Sequence, residues 1–165
     1  MWFRFVSYLN FLAKSTNQHG VHSPFVFQYV TQCLYSKKKL HNNKSINVLL
    51  KTIACFNFNS ISTKNKSVRE LIKQCFPEVQ LDKDTVDLLF MNTLSDIDFH
   101  KILSEGKLHN NSLILIDSIY DTHENLEQWN QLIALPEVTV SIDVYYCGMI
   151  SIRREQVKEH FTIRI

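Results

Sequence analysis

The chain has 165 residues, 45% of them hydrophobic, and a formal net charge of +2, which suits one globular domain with a sizeable core and excludes global disorder. No stretch approaches the roughly 18 uninterrupted apolar residues of a membrane span. Cys33, Cys55, Cys75 and Cys147 form no CxxC pair, so free thiols in a reducing cytoplasm are expected rather than a disulfide scaffold. The three glycines, Gly20, Gly106 and Gly148, leave residues 21–105 without one, which excludes a Gly-rich phosphate-binding turn from the middle of the chain.

The first segment resembles a secretion signal in its apolar content, but Arg4 and Asn10 interrupt it and no small-residue cleavage site follows, so it is expected to be retained. Trp2, Phe3, Phe5, Val6, Leu9 and Leu12 recur at helical spacing, predicting an amphipathic helix over 2–14 that something must cover. Ser23-Pro24 is a serine cap followed by proline at the first helical position, opening a helix through Phe25, Phe27, Val30 and Leu34. Ile46 to Phe56 is a third apolar helix. Residues 1–57 are thus read as an N-terminal helical portion of a single domain spanning 1–165.

From 58 onward short strands alternate with capped helices. Ser60–Thr63 is a weak strand, and Ser67-Val-Arg-Glu70 reads as a capping box for a helix over 68–76 that Pro77 closes. Val86–Met91 is a buried strand, Ser95-Asp-Ile-Asp98 a cap signature, and the helix it opens runs to about Glu105 with Gly106 as its stop. Ser112–Ile116 is the strongest strand and ends at Asp117; Thr122 caps a helix containing Leu126, Trp129, Leu132 and Ile133. The tail reads as strands over 138–142 and 149–153, joined too closely for a parallel crossover and therefore antiparallel. A short helix around 154–159 and a last strand over 160–165 complete the reading. The fold class is α/β: parallel βα units closing in a C-terminal antiparallel hairpin of a mixed sheet.

Residues 1–80 carry 11 Lys/Arg against 2 Asp/Glu, and residues 81–165 carry 7 against 14, so the halves are +9 and −7. A basic half of this size suits nucleic acid or an anionic membrane. No compact basic stripe accompanies it, and the single run Lys37-Lys38-Lys39 follows an apolar helix, so mutual neutralisation is preferred and neither partner is expected.

Two stretches carry a family resemblance. HGVHSPFVF at 19–27 resembles the N-terminal signature of a bacterial family of class I S-adenosylmethionine-dependent methyltransferases, often found in Bacteroidetes. LIDSIYDTHENLEQWNQLIALPEVTVSIDVYYCGMISIRREQVKEHFTIRI at 115–165 is similar to the end of the same family. The resemblance implies a Rossmann-like methyltransferase core over 58–165. It also implies a first strand ending in an E-x-G-x-x-x-G loop for the cofactor and a second strand ending in an acid for the ribose. Here the first strand and turn read Ser60-Ile-Ser-Thr-Lys-Asn-Lys-Ser67, without glycine or acid, and between 59 and 81 the carboxylates are Glu70 and Glu78 alone. The interval to the strand at 86–91 is too short for two more βα units of usual size. A truncated, degenerate member is expected, with part of the cofactor half deleted.

The relatives' Asp-Gly after the strand at 86–91 is here Asn92-Thr93. Their Asp-Asp-x-His run is here Asp117-Ser118-Ile119-Tyr120, so only Asp117 matches in type. Asp117, Asn92 and Tyr120 are therefore candidates for a residual cofactor-binding rim at the carboxyl ends of the strands; a strand-end aspartate capping the next turn is the competing reading of Asp117. His19 and His22 lack two further ligands for a metal, and Cys33 and Cys147 lack an adjacent base, so no metal or nucleophilic site is expected. The reading that follows is a catalytically inactive methyltransferase-like protein with no cofactor. It would act by binding a ligand, a protein partner or a second copy through the N-terminal helices or an uncovered part of the sheet. The alternative is an active enzyme holding S-adenosylmethionine unconventionally, with Asp117 and Asn92 near the transferred methyl.

Overall fold

A computed structural model describes residues 2–95 and 98–165. Helix α1 (Trp2–Lys14) is followed by a single 3-10 turn over Gln18–Gly20, then α2 (Pro24–Gln28) and α3 (Lys44–Phe56). The core then runs β1 (Ser60–Thr63), α4 (Lys66–Cys75), β2 (Gln80–Leu81), β3 (Val86–Met91), α5 (Phe99–Ser104), β4 (Leu108–Asp117) and α6 (His123–Ala134). It closes with β5 (Val140–Asp143), β6 (Cys147–Ser151) and β7 (Glu159–Thr162). The strands form one seven-stranded sheet in the order β2-β1-β3-β4-β6-β5-β7. β2, β1, β3 and β4 run parallel; β6 is antiparallel to both β4 and β5, and β7 lies parallel to β5. The architecture is thus α/β with a mixed sheet, and the hairpin expected at 138–153 is antiparallel.

Strands β3 and β4 are apolar on both faces, which forces helices onto both sides. On one face Leu88, Phe90, Leu113 and Leu115 pack with Val26, Tyr29, Leu49, Ile53, Val68 and Ile72 of the helices before and after β1. On the other, Leu89, Ile114, Ile116 and Ile150 pack with Phe99 of α5 and with Trp129 and Leu132 of α6. Each fully buried Leu, Ile or Phe contributes about 1.5–3 kcal/mol. The second cluster contains no residue of β1 or β2. There the sheet carries Ser60 and Ser62, whose hydroxyls donate to the Asp87 and Asp82 carboxylates at 2.9 and 3.0 Å.

The caps follow from side-chain chemistry. Ser23 accepts from Val26 N with Pro24 at the first helical position, as expected. The chain then continues beyond α2 as a π-helical stretch, Tyr29–Leu34. The expected capping box at Ser67–Glu70 is not used: Asn65 caps α4 instead, accepting from Val68 N, so the helix begins at Lys66. Asp98 caps α5, while Asp96 and Ile97 of the expected signature lie outside the described residues. Gly106 stops α5 with φ +65°. β2, two residues long, carries too short a run for period-two alternation to announce it. The helix expected over 154–159 does not form: those residues make turns, with Glu159 already in β7, where Glu159 N donates to Thr139 O. The sheet ladder outcompetes a helical turn too short to nucleate alone.

α1 forms over the expected residues, but the face predicted to be covered stays largely open: Trp2, Phe5, Val6 and Leu9 are exposed, and Ser7 and Phe11 are buried. Aromatic geometry decides this. Phe11 and Tyr8 meet Tyr145 with ring centroids 5.4 and 4.8 Å apart, and Phe11 meets Tyr120 at 6.3 Å. α1 thereby lies across the carboxyl rim of the sheet. Beyond it, Thr16 bridges Ile163 at the end of β7.

Gly148 in β6 lies under Trp129, where a Cβ would come within 2.5 Å of the indole. Gly148→Ala should lower stability by about 1–3 kcal/mol through overpacking, read as a fall in the guanidinium midpoint with an unchanged denaturant slope.

Candidate functional site

The parallel strands reverse order between β1 and β3: β2 lies on one side of β1, and β3 and β4 on the other. In open α/β sheets, the crevice at such a reversal, beyond the carboxyl ends, is where ligands bind. A groove of about 710 Å³ opens at this reversal, where Thr63, Asn65, Asp82 and Asn92 line it, and runs on along the sheet face beside α5 past Leu89 and Ile102 to Lys107. Side-chain hydrogen bonds span the turn from β1 into α4. Asn65 Nδ2 donates to Asn92 Oδ1 at 3.0 Å, and Asn65 N donates to Thr63 Oγ1 at 3.2 Å.

Asp82 follows β2 directly, in the left-handed region at φ +57°. Burial would raise its pKa, but the Arg69 guanidinium and the Ser62 hydroxyl outweigh that and hold it below the ordinary carboxylate value. Arg69 also donates to Thr63 O at 3.2 Å, so one guanidinium ties the end of β1 to the end of β2. The expectation that the second strand lacks a terminal acid is therefore corrected. β2 ends at Leu81 and Asp82 stands at its carboxyl end, one residue beyond the 59–81 interval.

A second cavity, of about 170 Å³, lies at the end of β4 and is lined by Arg4, Lys44, Ser45, Asp117, Tyr120 and Tyr145 among others. Asp117 and Tyr120 thus come together, while Asn92 faces the larger groove. Burial raises the Asp117 pKa; the Ser45 and Ser118 hydroxyls draw it partly back. Ser118 Oγ donates to Asp117 Oδ1 at 3.1 Å. Tyr120 does not reach Asp117: its hydroxyl donates to Asp143 Oδ2 at 2.5 Å, and its ring stacks on Tyr145 at 4.8 Å.

Tyr145 carries φ +69°, a conformation costly for a bulky side chain. Asp143 Oδ1 accepts from Tyr145 N at 2.7 Å, and Tyr145 OH donates to the Arg4 carbonyl at 2.7 Å. The hairpin loop, the strand end and α1 are thereby locked together.

Asp87, at the amino end of β3, was not singled out from the sequence. Its Oδ2 accepts from Asn59 N, Ser60 N and Ser60 Oγ, and its Oδ1 lies 3.0 Å from His109 Nε2. Because the serine hydroxyl faces the carboxylate and not the imidazole, this is a lock between strands rather than a nucleophile with its base. Cys33 and Cys147 are buried, with burial pushing their thiols far up, and Cys55 and Cys75 are exposed; all four are free. No helix is long and apolar enough to cross a membrane among the described residues.

Comparison with protein-family models, with curated proteins and with solved structures returns no match to this chain.

Asp143 yields a pH dependence. Burial, opposed by the Tyr120 and Tyr145 hydrogen bonds, pushes its carboxyl up to about 6. The folded chain therefore holds a proton that the unfolded chain has released between about pH 4 and 6, and this group's contribution to stability falls as pH rises through that window. Asp143→Asn should remove the contribution. Urea denaturation of the two proteins from pH 4 to 7 is expected to show the variant gaining relative to the parent as pH rises, with the gain levelling off above about pH 6.

Proposed function

We propose that this chain is a methyltransferase-like α/β protein that does not transfer methyl groups and acts by binding. The observation that carries the reading is the Asn65–Asn92 hydrogen bond. It closes with side chains the turn after the first strand, where a nucleotide cofactor needs glycine so that backbone can approach it. The Arg69–Asp82 ion pair adds to it, because the acid placed for ribose hydroxyls already has a cationic partner. These residues do not fit S-adenosylmethionine in the usual manner.

The strand order supports the methyltransferase-like part. A doubly wound parallel set continues into an antiparallel strand inserted before the penultimate position, in keeping with the resemblance of residues 19–27 and 115–165. Between β1 and β3 there is one helix–strand step, α4 and β2, so the reduction falls on the cofactor side of the sheet.

A second reading, an active enzyme with an unconventional cofactor seat, is favoured by one feature. Asp82 stands at the carboxyl end of β2 beside an open groove, the location of a ribose-binding acid in dinucleotide folds. Calorimetric titration separates the two. With S-adenosylmethionine and S-adenosylhomocysteine, no saturable heat is expected at millimolar ligand. Saturable binding at micromolar ligand, weakened by Asp82→Asn, would overturn the binding-only reading in favour of the enzyme.

A further inference from the structure

We propose that α1 docks on the surface of an anionic lipid bilayer, with Trp2, Phe5, Val6 and Leu9 entering the headgroup region. The inference does not depend on whether the groove at the carboxyl rim takes a cofactor, because the face concerned points away from the sheet.

A surface helix of a globular protein turns its apolar stripe to the core and its polar residues to water. α1 does the reverse. At about 100° per residue, Trp2, Phe5, Val6, Leu9 and Ala13 share one arc, and all five are exposed, Trp2 at 77%. No polar residue falls within that arc. On the opposite arc Ser7 and Phe11 are buried, the serine at 5%. Among the described residues seven large hydrophobics are exposed, and four of them are Trp2, Phe5, Val6 and Leu9.

The helix cannot roll to bury this arc without losing the contacts that seat it: Tyr8 and Phe11 lie against the Tyr145 ring, and Tyr145 OH donates to the Arg4 carbonyl at 2.7 Å. The stripe therefore stays outward, at the spacing by which an interfacial helix sinks its apolar side. Its 13 residues make a rod of about 20 Å, short of the ~30 Å of a hydrocarbon core. α1 can lie on a bilayer but not cross it.

Charge selects the partner. Residues 1–69 carry ten Lys/Arg and no Asp or Glu. Lys14 stands exposed in the last turn of α1, and just beyond it the exposed Arg164 donates its backbone N–H to Thr16 O at 3.2 Å. Arg164 acts electrostatically on the Tyr35 hydroxyl, and the exposed run Lys37-Lys38-Lys39 follows Tyr35 closely in the chain. Asp143, Asp121 and Glu127, which approach the other side of α1, are buried or paired: Asp121 with Arg4 at 3.5 Å, and Glu127 with His123, against whose ring Phe3 packs. Two copies meeting through this arc would set cations against cations, with no carboxylate in either N-terminal portion to pair them. An anionic bilayer supplies both apolar depth for the rings and negative charge for the lysines. The charge pattern predicts no membrane partner because it holds no compact basic stripe; it does not show which way the apolar arc of α1 faces.

The test is co-sedimentation of the full chain with vesicles of phosphatidylcholine alone and of phosphatidylcholine with an equal part of phosphatidylglycerol. Binding to the anionic vesicles should be saturable, about tenfold or more stronger than to the neutral ones, and weaker at high salt. Trp2 is exposed and Trp129 buried, so a blue shift of tryptophan emission with loss of acrylamide quenching reports entry of Trp2 into the bilayer. Trp2→Ser should weaken co-sedimentation about tenfold with an unchanged thermal midpoint, because the side chain faces water in the absence of lipid; Leu9→Ser should act in the same direction. Failure to sediment with either vesicle, equal binding to the neutral one, or undiminished binding by Trp2→Ser would each overturn the proposal. A concentration-dependent dimer in sedimentation equilibrium that Trp2→Ser dissociates would overturn it too, assigning the arc to a second copy.

Discussion

The parallel pairing of β3 with β4, two strands apolar on both faces, is the constraint from which the rest of the molecule follows. Leu88 and Phe90 need cover on one side and Leu89 on the other, and only helices before and after the strands supply both. Double winding then sets the carboxyl ends of β1, β3 and β4 on one rim, so polar residues following those strands collect there. β1 is the exception. Where no helix cluster reaches it, Ser60 and Ser62 face Asp87 and Asp82, and a surface that would otherwise be apolar is satisfied by hydrogen bonds.

The scarcity of glycine has a structural counterpart on that rim. Left-handed backbone positions fall to Asn57, Asp82, Ser118 and Tyr145, at about 1–2 kcal/mol each for a non-glycine residue. Three of these four lie at strand ends or at the hairpin loop, and each is held by surrounding bonds: Asp82 by Arg69 and Ser62, Ser118 by Tyr146 O, Tyr145 by Asp143 and Arg4. A chain that spends strain in this way gains side chains at positions where glycine would leave open backbone. The rim is accordingly closed by specific contacts at β1 and left with a small polar chamber at β4.

Much of the fold was legible because the signals were local. Ser23-Pro24, Val86–Met91, Thr122 and Gly106 each state a cap, a buried strand or a stop in a few residues. What escaped was decided by distant contacts. β2 is two residues long and exists by pairing with β1; without it, Asp82 has no strand to terminate. The open face of α1 follows from rings at 120 and 145, more than a hundred residues away. Asp117 and Tyr120 could be placed on one rim from sequence. They line a different cavity from Asn92, one to which α3 contributes Lys44 and Ser45, which no pattern near Asp117 announces.

The central claim is that side chains occupy the turn where a cofactor would be cradled. It is tested most directly by following the side-chain amide resonances of Asn65 and Asn92 and the guanidinium of Arg69 by heteronuclear NMR during titration with S-adenosylhomocysteine. These signals are expected to hold their positions through millimolar ligand, with the Asn65–Asn92 hydrogen bond retained. Saturable shifts of all three, with loss of that bond, would contradict it.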